Sequence, residues 1–448
     1  MKISVFGTGY LGATHAACMA ELGHEVIGVD VDVEKIERLS AGEVPFFEPG
    51  LPELLLKHVN SGRLKFTTDY AEAAAFADLH FIGVGTPQRD SDFAADTTYV
   101  EQVFRGLVPL IKRNAVIAGK STVPVGTASR MQKLANDLSG SDINIEVVWN
   151  PEFLREGFAV QDTLHPDRIV IGVDANGSTG EEQLREVFAP ILRGPTPCPV
   201  IVCDVATAEL VKVSANAFLA TKISFINAVA EVCEAAGADV TVLADAIGLD
   251  DRIGRKFLGA GLGFGGGCLP KDIRAFMARA GELGADQALT LLREVDSINV
   301  RRREKLVEMT ATALDGDLRG KRVSVLGAAF KPNSDDVRDS PALSVAGSLA
   351  LKGAEVTVYD PQAMENARRL YPTLDYAESA LDACTNADAI VIATEWREFI
   401  ELSPALVSTV SAGRLLLDGR NCMPSGDWIS NGWDYRALGR GTINGLGR

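Results

Sequence analysis

"MKISVFGTGYLG" (1–12) and "EVIGVD" (25–30) decide the fold. "ISVFG" reads as a short buried strand and "YLGATHAACMAELG" as a helix ending at Gly23; "EVIGVD" is the next strand. The opening is therefore a βαβ unit. Its turn, from Gly7 to Gly12, is a GxGxxG. The first glycine permits the tight turn, the second lets backbone approach a pyrophosphate, and the third lets helix and strand pack closely. The helix N-terminus then offers its orphan N–H groups and positive dipole end to the phosphates. Asp30 closes the second strand, where a carboxylate can accept both ribose hydroxyls and repel a 2′-phosphate. A glycine turn in an unliganded fold, with a surface Asp, is the plainer reading. The strand–turn–helix context favours NAD.

The same alternation runs outward from there. "LHFIGVGTP" (79–87), "AVIAGKSTVPVGT" (115–127) and "IEVVWNPEF" (145–153) read as further strands of a parallel sheet covered on both faces. Between about 205 and 315 two long helical patterns replace it, "TAELVKVSANAFLATKISFINAVAEVCEAAG" and "ADQALTLLREVDSINVRRREKLVEMTATALDG". The second, if continuous, would run about 45 Å, connect two domains and offer a face to a second subunit. Then the opening returns: "KRVSVLGAAF" (321–330) echoes "MKISVFGTGY", and "GAEVTVYDP" (353–361) echoes "GHEVIGVDV". Gly7 and Asp30 are 23 residues apart, Gly327 and Asp360 33, so the second copy carries an insertion, "KPNSDDVRDS". "ADAIVIATEW" (387–396) and "RLLLDGRN" (414–421) continue the strands. The expected fold is α/β: two Rossmann-like doubly wound parallel-sheet domains, 1–200 and 316–448, joined by a central helical domain, 201–315, with a long helix.

Composition narrows the function. At 448 residues and 46% hydrophobic, the chain has material for several cores. A net charge of −16 argues against nucleic acid or an anionic membrane as partner. No apolar run approaches the ~20 residues of a membrane span, and the N-terminus reads as a strand, not a signal peptide. Seven scattered cysteines without CxxC pairs, and five histidines without HxxxH pairing, argue against a disulfide framework and a metal site. The setting expected is reducing and cytoplasmic.

"GFGGGCLPKD" (263–272) holds the sharpest chemistry. A thiolate is the reactive form of cysteine, and a neighbouring lysine (Lys271) or a helix N-terminus favours it. Bare glycines would let a substrate carbon come close to Cys268, and Asp272 would act on the same centre if "LPKD" begins a helix. The plainer reading is a small buried cysteine in a glycine turn, and it is applied to the other six. "NPEFLREG" (150–157) places Glu152 and Glu156 on one face if helical, and "KSTVPVG" (120–126) places Ser121 and Thr122 at a strand end. Caps and surface charges explain both stretches equally well. Lys212 and Asn216 lie four apart on an apolar helix, where a lysine more often snorkels than catalyses. In the second lobe Lys331 and Arg338 stand where the first has bare backbone. They fit either a phosphate-bearing ligand or a solvated loop. A nicotinamide fold combined with a nucleophilic cysteine points to alcohol oxidised to aldehyde, then to a thioester, then hydrolysed to an acid.

"GTGYLG", "EPGL" (48–51), "GVGTP", "STVPVGT", "NPEFLREG", "PDRIVIG", "ANAFLATKISFINA", "GFGGGCLPKD", "AFKPNSDDVRDSP" and "DGRN", in this order, resemble the UDP-glucose/GDP-mannose dehydrogenase family over essentially the whole chain. The resemblance implies an NAD-binding first domain, a dimerising centre and a C-terminal UDP-sugar domain in a homodimer or higher homo-oligomer. It implies NAD-dependent four-electron oxidation of the C6 alcohol of UDP-glucose through a Cys268 thiohemiacetal and thioester. Lys212 and Asn216 would stabilise the oxyanion, Asp272 would assist proton transfer, and Thr122 and Glu152 would handle the hydrolytic water. Cofactor contacts implied are Gly7, Gly9, Tyr10, Leu11, Gly12, Asp30, Lys35, Gly85, Thr86, Pro87, Ser121, Thr122, Glu156 and Arg338. Substrate contacts implied are Glu152, Phe153, Leu154, Lys212, Asn216, Phe257, Gly265, Lys331 and Arg420, with Arg252 reaching in from a neighbouring subunit. "NPEFLREGFAVQDTLHPDRIVIG" is similar to the UDP-glucose branch. GDP-mannose or a UDP-N-acetylhexosamine is the alternative substrate within the family. A non-catalytic nucleotide-sugar or NAD-binding regulator is the alternative from another class; intact Cys268, Lys212 and Asp272 argue against it. One departure is Gly267, where family members commonly have serine.

Overall fold

In the computed structural model every residue is described except Asp90, Asn176, Pro197 and 442–448. The end of the expected third domain, 442–448, thus lies outside the described residues. The chain divides into two units, Met1–Ala215 with Arg274–Gly284, and Asn216–Ile273 with Ala285–Arg448.

The first unit is built on β1 (Lys2–Phe6), β2 (Glu25–Val29), β3 (Leu64–Thr67), β4 (Leu79–Ile82), β5 (Ala115–Gly119), β6 (Ile145–Trp149), β7 (Ile169–Gly172) and β8 (Val200–Cys203), in sheet order β3-β2-β1-β4-β5-β6-β7-β8. The first six run parallel, as the apolar runs predict. β7 instead pairs antiparallel with β6 at Trp149 and Gly172, and β8 follows β7. One apolar layer, with Ile3, Val5, Phe81 and Val148, covers one face; another, with Phe6, Ile82, Ile117 and Trp149, covers the other. Strand order reverses between β1 and β4, which opens a crevice at their carboxyl ends. The loops after β1, β4, β5 and β6 all leave from that end, and they carry "GTGYLG", "GVGTP", "KSTVPVG" and "NPEFLREG".

The second unit holds β9 (Arg322–Leu326), β10 (Glu355–Tyr359), β11 (Asp375–Tyr376), β12 (Ala389–Ile392), β13 (Leu415–Asp418) and β14 (Asp434–Ala437). They form an all-parallel sheet, β11-β10-β9-β12-β13-β14. Val323, Val325, Ile390, Val391, Leu416 and Leu417 fill its core. Helix Thr290–Ala313 packs on helix Pro341–Leu351.

The long helices differ from expectation. The second pattern, which follows Gly284 (φ +76°), opens with a 3₁₀ turn, Asp286–Leu289, and becomes α-helical only over Thr290–Ala313. That helix has 24 residues, about 36 Å. The first pattern is the longer, a single 32-residue helix, Val205–Ala236. It includes an 18-residue window of mean hydropathy 1.3, long and apolar enough to cross a membrane by composition alone. Yet Lys212, Asn216, Ser224 and Asn227 along it are buried and bonded to the protein, as in a core helix.

Candidate active site

Gly7 takes φ +87°, and a Cβ on Gly12 would lie 1.7 Å from the Gly7 carbonyl oxygen. Both positions therefore need glycine. Gly9 differs: a Cβ there would meet nothing within 4 Å. Its backbone is bare and open just before helix Tyr10–Glu21, a cradle for an anion. Asp30 lies directly beyond β2. Its Oδ2 accepts from the Thr8 amide at 2.8 Å and from Lys35 Nζ at 3.0 Å, and its Oδ1 from the Asp32 amide. Burial works against the carboxylate, but Lys35 and the amides outweigh it and hold Asp30 below its usual range. Lys35 thus offsets part of the repulsion toward a 2′-phosphate that the sequence assigns to Asp30.

The next loops are stitched together. Ser121 Oγ donates to the Val84 carbonyl at 2.6 Å, and Thr86 Oγ1 to the Thr122 carbonyl at 2.7 Å. Gly85 has open space where a side chain would be, and Pro87 is exposed. "NPEFLREG" is a loop, not a helix, so Glu152 and Glu156 share no helical face. The Asn150-Pro151 start disfavours a helix, and Arg155 ties the loop down with two bonds to Asp162, at 2.9 and 2.6 Å. Glu152 then meets Lys212 Nζ at 2.9 Å, both nearly buried, and also accepts from the Leu154 amide. Lys212 does not snorkel: it is 4% exposed. Phe153 lies under the Arg168 guanidinium, 3.8 Å from its ring centre.

In the second unit Cys268 is exposed and immediately precedes helix Leu269–Glu282. The buried-cysteine reading therefore fails for it. Burial does push the thiols of Cys18 and Cys384 up, to about 12 and about 11, and raises Cys198, Cys203, Cys233 and Cys422. Asp272, buried in the first turn, has both oxygens engaged, by Lys271 Nζ at 2.6 Å and Asn216 Nδ2 at 2.7 Å. Lys271 thus pairs with the carboxylate.

The glycines before Cys268 serve a different purpose from the one expected. A Cβ on Gly263 would strike Asn299 Oδ1 at 2.1 Å, on Gly265 the Asp339 carbonyl at 2.3 Å, and on Gly266 the Phe330 ring. On Gly267 it would strike the Arg338 guanidinium at 2.3 Å. The space is filled by Asn299, Phe330 and the inserted segment, not cleared for substrate. Arg338 is chelated by Asp336, which also accepts from the Gly267 amide at 3.3 Å. Arg420 donates to the carbonyls of Ala393, Gly263 and Phe330, so it pins these loops together. Lys331 lies 5.4 Å from the Phe330 ring centre. Phe257 holds φ +65° and is 38% exposed. Arg252 is far out in solvent, paired only locally to Asp250.

Residues 1–192 match the NAD binding domain of the UDP-glucose/GDP-mannose dehydrogenase family, 206–301 its central domain and 324–425 its UDP binding domain. The chain belongs to this family. The UDP-glucose 6-dehydrogenase of Rhizobium meliloti (strain 1021) is 43% identical over 440 residues, 98% of this chain and 100% of the relative. A UDP-glucose dehydrogenase from the hyperthermophilic archaeon Pyrobaculum islandicum has a similar structure, with TM-score 0.89 at 38% identity over 98% of each chain. A UDP-D-ManNAc dehydrogenase from Pyrococcus horikoshii gives 0.85 at 25% identity, over 99% of this chain and 100% of the other. The first unit fits NAD: the open Gly9 backbone suits a diphosphate, and Asp30 stands where a ribose would be read.

Two buried carboxylates that hold these loops escaped the sequence reading. Glu48, of "EPGL", is buried; it accepts from Tyr10 Oη, and the Gly157 and Ala159 amides donate to it at 2.7 Å. It couples the cofactor turn to "NPEFLREG". Glu209, one turn before Lys212, accepts from the Gly126 and Ala128 amides at 2.7 and 2.6 Å and anchors the end of "KSTVPVG". Burial pushes Glu209 up to about 7. The motif "EPGL" was a signal for the first. Nothing in the sequence marks Glu209, because its partners lie some 80 residues away.

Proposed function

We propose that this chain oxidises the C6 alcohol of UDP-glucose to the carboxylate of UDP-glucuronate. When bound, NAD supplies the two-electron acceptor for each of the two oxidations. The alcohol loses a hydride and a proton to give the aldehyde, and the Cys268 thiolate adds to its carbon as a thiohemiacetal. A second loss of hydride leaves a thioester. Water then adds, the C–S bond breaks, and the acid departs as the thiolate is restored. Lys212 answers negative charge on the reacting oxygen, Glu152 orients water, and Asp272, fixed by Asn216 and Lys271, receives a proton. Gly7, Gly9, Gly12 and Asp30 hold NAD; Lys331 and Arg338 serve the phosphates.

The observation that carries this reading is Cys268: it is the exposed cysteine, at a helix start, where backbone donors and the helix dipole favour an anion. The relatives favour UDP-glucose, with identity of 43% and 38% to enzymes named for it against 25% to one named for UDP-D-ManNAc. The test is stoichiometry across a panel of UDP- and GDP-sugars. UDP-glucose should give two NADH per sugar and no aldehyde trapped by a hydrazine, and Cys268→Ala should abolish the overall oxidation while still binding NAD. One NADH per sugar with quantitative aldehyde would mean a simple alcohol dehydrogenase.

The enzyme acts in the cytoplasm as a homo-oligomer. Phe218, Phe225 and Val232 recur every seven residues on helix Val205–Ala236 and are 66%, 54% and 65% exposed, a stripe that a second copy would cover. Arg252, reaching outward, would serve the neighbour's substrate. Sedimentation of Phe225→Asp should show a lighter species than wild type.

A further inference from the structure

The glycine run before Cys268 is held from helix Thr290–Ala313. Asn299 on that helix is 1% exposed. Its Oδ1 accepts from the Phe264 amide at 2.7 Å, and its Nδ2 donates to the Phe264 carbonyl at 2.9 Å. One side chain thus meets both backbone groups of one residue, as an antiparallel strand would. Arg303, one turn on, donates to the same carbonyl at 3.1 Å and to Asp339 Oδ1 at 2.8 Å. The fit is close: Gly263 has φ +87°, and a Cβ there would lie 2.1 Å from Asn299 Oδ1.

The clamp divides the loop. Upstream, Gly261 donates to Asn227 Oδ1, Leu262 donates to the Gly419 carbonyl, and the Gly263 carbonyl accepts from Arg420, each at 2.9 Å. Downstream, Gly265, Gly266 and Gly267 alone separate Phe264 from Cys268, and glycine backbone is the least restricted of all. Gly266 donates to the Arg338 carbonyl at 2.8 Å and Gly267 to Asp336 at 3.3 Å. Both partners belong to the inserted segment, which Arg303 joins to the same helix through Asp339. Helix Thr290–Ala313 is therefore a common frame for both sides of the glycine run, and Asn299 grips it immediately ahead of the three freest residues before the nucleophile.

We propose that Asn299 is a positioning residue for Cys268: by fixing the Phe264 peptide groups it sets where the glycine run delivers the thiolate, so that the aldehyde carbon is captured as the thiohemiacetal before it can leave. This rests on the thioester route proposed above. A misplacement of about 1 Å can cost a covalent step about 100-fold. The first hydride transfer does not use the thiolate and goes on without it. When capture fails, the alcohol has already given one hydride to NAD and one proton to solvent, and the aldehyde departs. Loss of the clamp therefore changes which product forms as well as how fast.

Turnover of UDP-glucose with NAD by the full chain, in the presence of a hydrazine, tests this. Wild type should give two NADH per sugar and no trapped aldehyde. Asn299→Ala should slow the overall oxidation about tenfold or more, give fewer than two NADH per sugar and release aldehyde to the trap. That ratio is independent of the fraction of enzyme folded, so a loss of stability alone would leave it at two. Asn227→Ala is the control. It also removes a buried tie of this loop, but upstream of the clamp, and should keep the ratio at two. Asn299→Asp keeps an acceptor for the Phe264 amide while Arg303 still serves the carbonyl, and should fall between. In unliganded protein, hydrogen exchange over 264–268 should quicken in Asn299→Ala and not in Asn227→Ala. A folded Asn299→Ala with a ratio of two, unchanged exchange over 264–268, or equal release of aldehyde from Asn227→Ala would overturn the proposal. If Asn299→Ala does not fold, Asn299→Asp decides, and a ratio of two there overturns it. One NADH per sugar from wild type overturns the thioester route itself, and the proposal with it.

Discussion

Gly7-Thr8-Gly9 in the first lobe and Gly327-Ala328-Ala329 in the second leave their strands in the same way. Gly7 has φ +87° and would drive a Cβ into Val84; Gly327 has φ +120° and would drive one into Thr394. Two positions later they part. Gly9 is open, whereas Ala329 is fully buried and its carbonyl accepts from Thr394 Oγ1 at 2.7 Å. The acids at the ends of the second strands part too. Asp30 is partly accessible beside Lys35. Asp360 is 1% exposed and accepts from the amides of Ala328, Ala329, Gln362 and Ala363 and from Trp396 Nε1. In the second lobe the acid closes the turn from inside. The second turn therefore presents no bare, open backbone of the kind Gly9 offers. One βα turn can be a cofactor cradle or a structural knot, depending on whether the acid faces outward or in.

The largest effect expected is at Gly9. Gly9→Leu should leave the melting temperature unchanged, because its Cβ meets nothing, and weaken NAD at least about 100-fold by filling the cradle. Calorimetry with UDP-glucose should read wild-type affinity. Retained NAD binding would erase the contrast between the lobes. Ala329→Leu, placed in a full core, should instead fail to give a stable second lobe.

Next comes the exchange of the two acids. Asp360→Ala leaves several buried donors unmatched and should cost about 3 kcal/mol or more, read from a urea denaturation midpoint. Asp30→Ala should cost about 1 kcal/mol or less by the same measure. Equal costs would mean both acids are structural.

A smaller effect concerns cofactor choice. Asp30→Ala should raise the KM for NAD about tenfold and relax the preference against NADP. Lys35→Ala should sharpen that preference, since its cation beside Asp30 is removed. Comparison of kcat/KM for both cofactors checks both; a Lys35→Ala enzyme that uses NADP better than wild type would reverse the assignment.

The smallest effect is a pH dependence. Burial raises Glu209 to about 7 in the folded protein, against about 4.3 unfolded. Between these values the folded state holds a proton that the unfolded state has lost. Glu209 therefore favours folding most below the lower value, and this contribution fades as pH rises through about 7. Glu209→Gln should flatten that part of the stability–pH curve; an unchanged slope would mean the carboxyl titrates normally.

The strand–turn–helix repeats were legible because they rest on local patterns. Apolar runs mark buried parallel strands, and Gly7 and Gly327 mark turns that a side chain would block. Lys212 and Asn216 could be placed on one helix face from spacing alone. Other features were not legible. The antiparallel β7 has the same apolar composition as its parallel neighbours, and direction leaves no trace in four residues. The helical spacing of Glu152 and Glu156 misled because Asn150-Pro151 disfavours a helix and Arg155 is tied to Asp162, seven residues on, and the glycines of "GFGGGCLPKD" promised space that Phe330, Arg338 and Asp339 fill.

The sequence by itself determined the two βα openings, the NAD signature of the first, the family, and the one cysteine worth singling out, since each is carried by residues close together in the chain. Only the tertiary structure decided that Cys268 is exposed, that Asn216 meets Asp272, that Asp360 faces inward, and that Glu152 meets Lys212. Burial and charge partners come from residues tens to hundreds of positions apart, and electrostatic strength depends on how much water those partners exclude.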